Sequence, residues 1–135
     1  MTTRRTLDLD DVRSLAATAA RAADDKKATD TVVLEVGAVL AITDAFVITS
    51  APNPRLVRTI ADEIEQAVKA GGGPAPLSVE GLDDARWVLM DYGDFVVHVF
   101  LEDAREYYDL ERLWSDGARL DWEALAPALP AASGE

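Results

Sequence analysis

The chain contains no cysteine, which excludes disulfide bridges, thiolate metal sites and thiol catalysis. His98 is its only histidine, so a metal site built on two histidines is excluded as well. No apolar run approaches the roughly 18 residues that a membrane-spanning helix needs, and we expect no contact with a membrane. The arginines near the N-terminus are followed by aspartates where a signal peptide would have an apolar core. We therefore expect a cytoplasmic protein.

Positive charge is scarce, because 13 Lys and Arg residues stand against 25 Asp and Glu, for a formal net charge of −12. Affinity for nucleic acids comes largely from the counterions that Lys and Arg release, so this charge disfavours sequence-specific binding of RNA or DNA. An acidic protein is instead steered towards basic partners. Solubility alone also accounts for the charge, so it indicates a class of partner without identifying one.

Apolar residues are plentiful, at 49% of 135 residues, which is enough for one domain with a real core. Residue periodicity predicts helices over 7–27 and 54–70, strands over 31–36, 45–50, 77–80, 87–91 and 94–101, and one or two short helices over 102–114. This order predicts an α/β domain with a mixed sheet of about five strands flanked by helices. Residues 116–135 are rich in Ala and Pro, and we expect a mobile tail beyond a domain of residues 1–115.

The segment 87–101 predicts a hairpin whose tight turn uses the backbone freedom of Gly93. Its second strand is apolar on both faces, which favours a central strand covered on both sides. His98 lies within that strand, and we expect a neutral, hydrogen-bonded core residue there, with a polar contact at an interface or a general base as the alternatives. In the first strand Trp87 shares a face with Leu89 and Asp91, so that face is amphipathic.

Asp91 and Asp94 flank this turn and are the strongest candidates for chemistry. Two neighbouring carboxylates can bind a divalent cation, as they do in nucleotide-handling enzymes. Such a site also needs basic groups to hold phosphates, and Arg86 is the only one nearby in the sequence. Turn formation or partner contact is therefore the favoured role, with a metal-dependent nucleotidyltransferase as the alternative and no cofactor expected.

Aromatic side chains surrounded by charge are typical of protein interfaces, and the hairpin combines Trp87 and Tyr92 with these aspartates. A tryptophan on a strand is more often part of the core, so both interpretations of Trp87 stay open. The hairpin is a candidate docking surface for another protein.

Four motifs together resemble the ribosomal silencing factor family (RsfS, or Iojap-related proteins). They are ITDAFVIT, IADEIE, WVLMDYGDFVVHVF and REYYDLERLW, at residues 42–49, 60–65, 87–100 and 105–114. The resemblance implies a nucleotidyltransferase-like topology without its catalytic motifs, and no enzymatic activity. It further implies a translational repressor that binds ribosomal protein fourteen of the large subunit and blocks joining of the small subunit when nutrients are scarce. The free protein is then expected to be a homodimer.

Carried over by position, Trp87 and Tyr92 match the family's exposed hydrophobic contacts, and Asp91 and Asp94 match its acidic contacts. Met90 is a weaker match, because strand periodicity places it on the opposite face from Trp87. The segment APNPRLVRT at 51–59 departs from the family's Gly/Ser-rich turn. Asn53 and Pro54 still predict a helix start there, so we expect the fold to be retained.

Overall fold

Two long helices pack on one face of a six-stranded sheet in the computed structural model, which describes residues 8–37, 43–115 and 117–125. The helices are α1 (Leu9–Asp25), α2 (Pro54–Ala70), α3 (Glu102–Tyr108), α4 (Leu110–Leu113) and α5 (Trp122–Leu125). The strands are β1 (Thr29–Glu35), β2 (Ala45–Ala51), β3 (Ser78–Glu80), β4 (Trp87–Asp91), β5 (Phe95–Leu101) and β6 (Ala118–Leu120). Among these residues, no helix has both the length and the apolar character needed to cross a membrane.

Both long helices begin where a side chain caps the free backbone N–H groups. Asp8 accepts a hydrogen bond from the Asp11 N–H at 2.9 Å, and Asn53 accepts one from the Leu56 N–H at 2.8 Å. Pro54 then occupies the first turn of α2, where no backbone donor is required. The predicted bounds of α2 are therefore confirmed, although the segment at its start departs from the family's usual turn.

The strand order β3-β4-β5-β2-β1-β6 places β5 and β2 at the centre, and these two strands are parallel. The other neighbouring strands pair in antiparallel fashion. Every residue of β2 is buried, as expected for a strand covered on both faces. The predicted mixed sheet flanked by helices is confirmed, with six strands in place of about five.

The two faces of the sheet are covered unequally. On the helical face, Val33, Ala45, Val47, Val88, Met90, Val97 and Val99 lie in one cluster with the apolar sides of α1 and α2. The opposite face, which we call the open face, carries Leu34, Phe46, Ile48 and Phe100. Among the described residues, Ala104, Leu110 and Trp114 cover the centre of the open face. Because α3 and α4 are short, residues towards the β3 side of this face stay half-buried.

Residues 117–125, which were predicted to begin a mobile tail, are instead part of the folded domain. Strand β6 pairs with β1 in antiparallel register, and the Trp122 side chain is buried. The Trp122 indole donates to the Thr31 carbonyl at 3.1 Å, while the Arg21 guanidinium lies 5.0 Å from the centre of its ring. A three-residue strand is too short to show periodicity, which is why the sequence did not reveal it. Residues 126–135 lie outside the described part of the chain.

Replacing Trp122 with alanine should lower the free energy of unfolding by roughly 3 kcal/mol, since truncating a buried aromatic side chain removes many apolar contacts. Urea unfolding followed by circular dichroism measures the change. Leu125→Ala is the matched control, because Leu125 belongs to the same helix but is exposed. An unchanged midpoint for Trp122→Ala would contradict a structural role for this segment.

Candidate partner-binding surface

The carboxylate of Asp91 helps to build the hairpin turn. Strand β4 ends at Asp91 and β5 begins at Phe95, with Gly93 between them at a φ of +84° that favours glycine. The Asp91 carboxylate accepts a hydrogen bond from the Gly93 N–H at 2.8 Å, and the Tyr92 N–H donates to the Phe95 carbonyl at 3.0 Å. Asp91 itself is half-buried on the open side of β4.

Three of the five predicted contact residues, Met90, Tyr92 and Asp94, are buried. Met90 and Tyr92 belong to the cluster beneath α1 and α2, where the Tyr92 ring stacks on Phe95 at 4.6 Å. Burial raises the pKa of Tyr92 to about 12, with a smaller contribution from the nearby Glu65. The expectation of an exposed Tyr92 is therefore wrong. Strand periodicity explains it, because residues 88, 90 and 92 all point to the same face.

Trp87 is half-buried between the sheet and α3. The centre of its ring lies 5.0 Å from that of Phe100 and 4.7 Å from that of Tyr108. Its indole Nε1–H donates a hydrogen bond to Nδ1 of His98 at 3.0 Å. Trp87 thus packs on the core of the open face while part of its side chain stays at the surface. The core interpretation of Trp87 is partly confirmed, and its role in an interface stays a prediction.

His98 is a neutral core residue, as predicted. It is only 4% exposed, and burial lowers its pKa to about 4. Because Nδ1 accepts the indole N–H, the proton of the neutral ring must be on Nε2. Within the described residues, Nε2 has no hydrogen-bond partner.

An apolar and aromatic surface continues from Trp87 in two directions. Leu89 and Val96 lie half-buried on the same open face. On α3, Tyr108 is 44% exposed and Tyr107 is 79% exposed, with their rings 5.0 Å apart. We call Trp87, Leu89, Val96, Tyr107 and Tyr108 the aromatic patch. Sequence reasoning missed the tyrosines because α3 was considered only as a helix, although its YY dipeptide was visible.

Arg105 connects α3, the helix that carries Tyr107 and Tyr108, to strands β1 and β2. Its guanidinium donates to the Thr29 carbonyl at 3.0 Å, to Ser50 Oγ at 3.1 Å and to the Glu111 carboxylate at 3.0 Å. Glu111 also forms an ion pair with Arg119 of β6, with 3.6 Å between the closest atoms. The Arg105 side chain is largely buried, so these charge-assisted contacts are shielded from solvent and hold the helix in place.

Negative charge borders the α3 side of the aromatic patch. A shallow cavity of about 610 Å³ lies beside Arg105, where β1, β2 and α3 meet. The carboxylates along its wall are those of Asp30, Glu102, Asp103, Glu106, Asp109 and Glu111. Arg105 is the single basic residue among the described residues that line it. This side of the patch therefore favours cationic groups on a partner.

The arrangement does not favour the metal-dependent alternative. The Asp91 carboxylate is engaged by the turn, and Asp94 is buried behind it. In the described ranges, no cluster of three or more His, Cys, Asp or Glu side chains has the geometry to hold a metal ion. The Asp91 carboxylate thus serves the turn, and the geometry of the two aspartates does not favour phosphoryl transfer.

The profile of a family described as "Ribosomal silencing factor during starvation" matches residues 9–134. A relative from Bacillus subtilis (strain 168), "Ribosomal silencing factor RsfS", is 41% identical over 109 residues, which are 81% of this chain and 92% of the relative. The chain belongs to the ribosomal silencing factor family. The resemblance noted in its four motifs is thereby confirmed.

Solved structures agree with this membership of the ribosomal silencing factor family. A crystal structure from Chromobacterium violaceum superposes with a TM-score of 0.73 at 30% identity, over 77% of this chain and 86% of the other. A crystal structure from Bacillus halodurans gives a TM-score of 0.69 at 38% identity, over 81% of this chain and 98% of the other. The fold described above is thus shared with experimentally determined structures.

The buried His98 should make the protein less stable in mild acid. The pKa of His98 is about 4 in the folded protein and about 6.5 for an exposed histidine, so the unfolded chain takes up this proton first as the pH falls. Neutral His98 makes its full contribution to the free energy of unfolding above pH 6.5, and this contribution is lost as the pH falls through 4. The loss between neutral pH and pH 4 amounts to about 3 kcal/mol.

Urea unfolding of the wild type and of His98→Asn, measured between pH 7 and pH 4, isolates this contribution. Asparagine does not titrate, so the variant should lose less stability over that range, while the carboxylates contribute equally in both proteins. Parallel curves for the two proteins would contradict the assignment of a depressed pKa to His98.

Proposed function

We propose that this protein represses translation by binding the large ribosomal subunit through ribosomal protein fourteen, a basic protein. The bound domain then occupies space that the small subunit needs for joining. Its relatives are named ribosomal silencing factors, which supports a role at the ribosome. In this proposal the protein acts in the cytoplasm when nutrients are limiting, is a homodimer when free, and requires neither catalysis nor a cofactor.

The aromatic patch is the observation that carries the proposal. Tyr107 exposes 79% of its surface next to the partly exposed Tyr108 and the half-buried Trp87. Solvent-exposed tyrosines that adjoin a tryptophan and aliphatic side chains are typical of the energetic centre of a protein interface. The patch lies on the face that the long helices leave uncovered, so a partner can reach it without local unfolding.

Charge supports a basic partner. The chain carries a formal net charge of −12, and the carboxylates beside Arg105 place part of this charge next to the patch. Complementary charge accelerates association and helps to exclude wrong partners. Bare RNA would be repelled, so we assign the docking contact to the protein component of the subunit.

The predicted contact residues acquire different roles in this proposal. Trp87 and Asp91, which are half-buried on the open face, touch the partner. Met90, Tyr92 and Asp94 are buried and act by holding the hairpin in shape. A variant of these three residues would thus affect binding through the stability of the turn.

Tyr107→Ala should weaken binding to purified large subunits by about 2 kcal/mol, or roughly 30-fold, because an exposed aromatic anchor is lost. Co-sedimentation titrations through a sucrose cushion measure the affinity. Trp87→Ala should weaken binding by a similar amount, and its unfolding curve must be measured alongside, since Trp87 is half-buried.

Leu77→Ala is the matched control, because Leu77 is 61% exposed but lies outside the patch, just before β3. It should bind like the wild type. The proposal would be rejected if Tyr107→Ala bound as tightly as Leu77→Ala, or if the wild-type protein did not co-sediment with large subunits.

A further inference from the structure

We propose that His98 is a positioning residue for partner binding, which holds the Trp87 indole by accepting its N–H at Nδ1. The inference rests on the proposed function, since it concerns the surface that contacts the partner. Its basis is a 3.0 Å hydrogen bond between two side chains on neighbouring strands. His98 faces Leu89 across the β4–β5 pair, and Trp87 is two residues from Leu89 on the same face, so the two rings are diagonal neighbours.

From His98, contacts lead to the surface in three steps. Its Nδ1 accepts the Trp87 N–H, the Trp87 ring lies 4.7 Å from Tyr108, and Tyr108 meets Tyr107 edge to face at 5.0 Å. An indole without a fixed hydrogen bond can turn about its two side-chain torsions. Its rotation would alter the support beneath both tyrosines.

The hydrogen bond matters more when a partner is bound than when the protein is free. Trp87 is only half-buried in the free protein, so without His98 its indole could turn its N–H towards water. A partner that covers the aromatic patch excludes that water, so the N–H then needs an acceptor within the protein. His98 supplies this acceptor before binding occurs, and its low pKa keeps the ring neutral near pH 7.

A role in core packing alone does not explain the choice of histidine. Burying Nε2 of His98 without a partner among the described residues costs free energy that an apolar side chain would not cost. Phe46 and Phe100 pack around the same ring, with ring centres 4.8 and 6.2 Å away, so the environment would accept an apolar residue. Among the residues that the structure describes, the one polar interaction of the histidine is with Trp87.

His98→Leu and His98→Asn form a matched pair for the test. Both side chains branch at Cγ and have similar size, but only asparagine has an acceptor, Oδ1, close to the position of the histidine Nδ1. His98→Leu should bind large subunits about tenfold more weakly than the wild type, although its stability at pH 7 is equal or higher. His98→Asn should bind within about threefold of the wild type.

Two further readouts separate positioning from a general structural effect. In a Trp87→Phe background, which lacks the indole N–H, His98→Leu should cause no further loss of affinity. In ¹H–¹⁵N spectra, the Trp87 indole resonance, identified by its absence in Trp87→Phe, should move upfield in His98→Leu and stay near its wild-type position in His98→Asn.

The inference would be overturned if His98→Leu bound like the wild type, if His98→Asn were as weak as His98→Leu, or if His98→Leu weakened binding equally in the Trp87→Phe background. These failures leave the proposed function intact as long as the wild type binds and Tyr107→Ala weakens binding. Failure of the wild type to bind large subunits would instead reject the proposed function and the inference together.

Discussion

The buried guanidinium of Arg105 is the interaction on which the candidate surface depends. It connects α3 to β1 through the Thr29 carbonyl, to β2 through Ser50, and to α4 through Glu111. Helices of seven and four residues have little stability of their own in water, so α3 and α4 need such contacts to stay ordered. With α3 fixed, Tyr107 and Tyr108 are presented at a defined place beside Trp87. Without this connection, Tyr107 and Tyr108 would be held less rigidly beside Trp87.

The two faces of the sheet are covered unequally, and this leaves the residues around α3 accessible as a surface. Helices α1 and α2 have 17 residues each and bury the helical face, so α3 and α4 are left to cover the open face. They cover its centre above Phe46 and Phe100 but leave Leu89 and Val96 half-buried. In the proposed function, the buried Met90 and Tyr92 hold the shape of the hairpin, and Trp87 and Asp91 on its other face contact the partner. A protein surface with this composition and an acidic border suits a cationic protein partner.

Sequence patterns predicted the positions of helices and strands better than the exposure of individual side chains. The start of helix α2 was predicted to the residue because Asn53 and Pro54 define it, and its end was predicted at about Ala70 because glycines follow. Alternation along the strand also placed Tyr92 on the same side as Met90, but the prediction of an exposed Tyr92 followed the match to the family's contacts instead. Exposure of Tyr107 and Tyr108 could not be predicted, because periodicity shows which way a side chain points and not how far its neighbours extend. Strand β6 was missed, since its position depends on long-range pairing with β1 and not on its own three residues.

The central claim is that the aromatic patch on the open face is buried against the large ribosomal subunit. Hydroxyl-radical footprinting, read out by mass spectrometry on the free protein and on the protein bound to purified large subunits, tests it directly. The account predicts that Tyr107 and Tyr108 lose most of their reactivity on binding, whereas the exposed Leu77 keeps its own. Unchanged reactivity of both tyrosines in the bound state, with protection elsewhere on the domain, would contradict it.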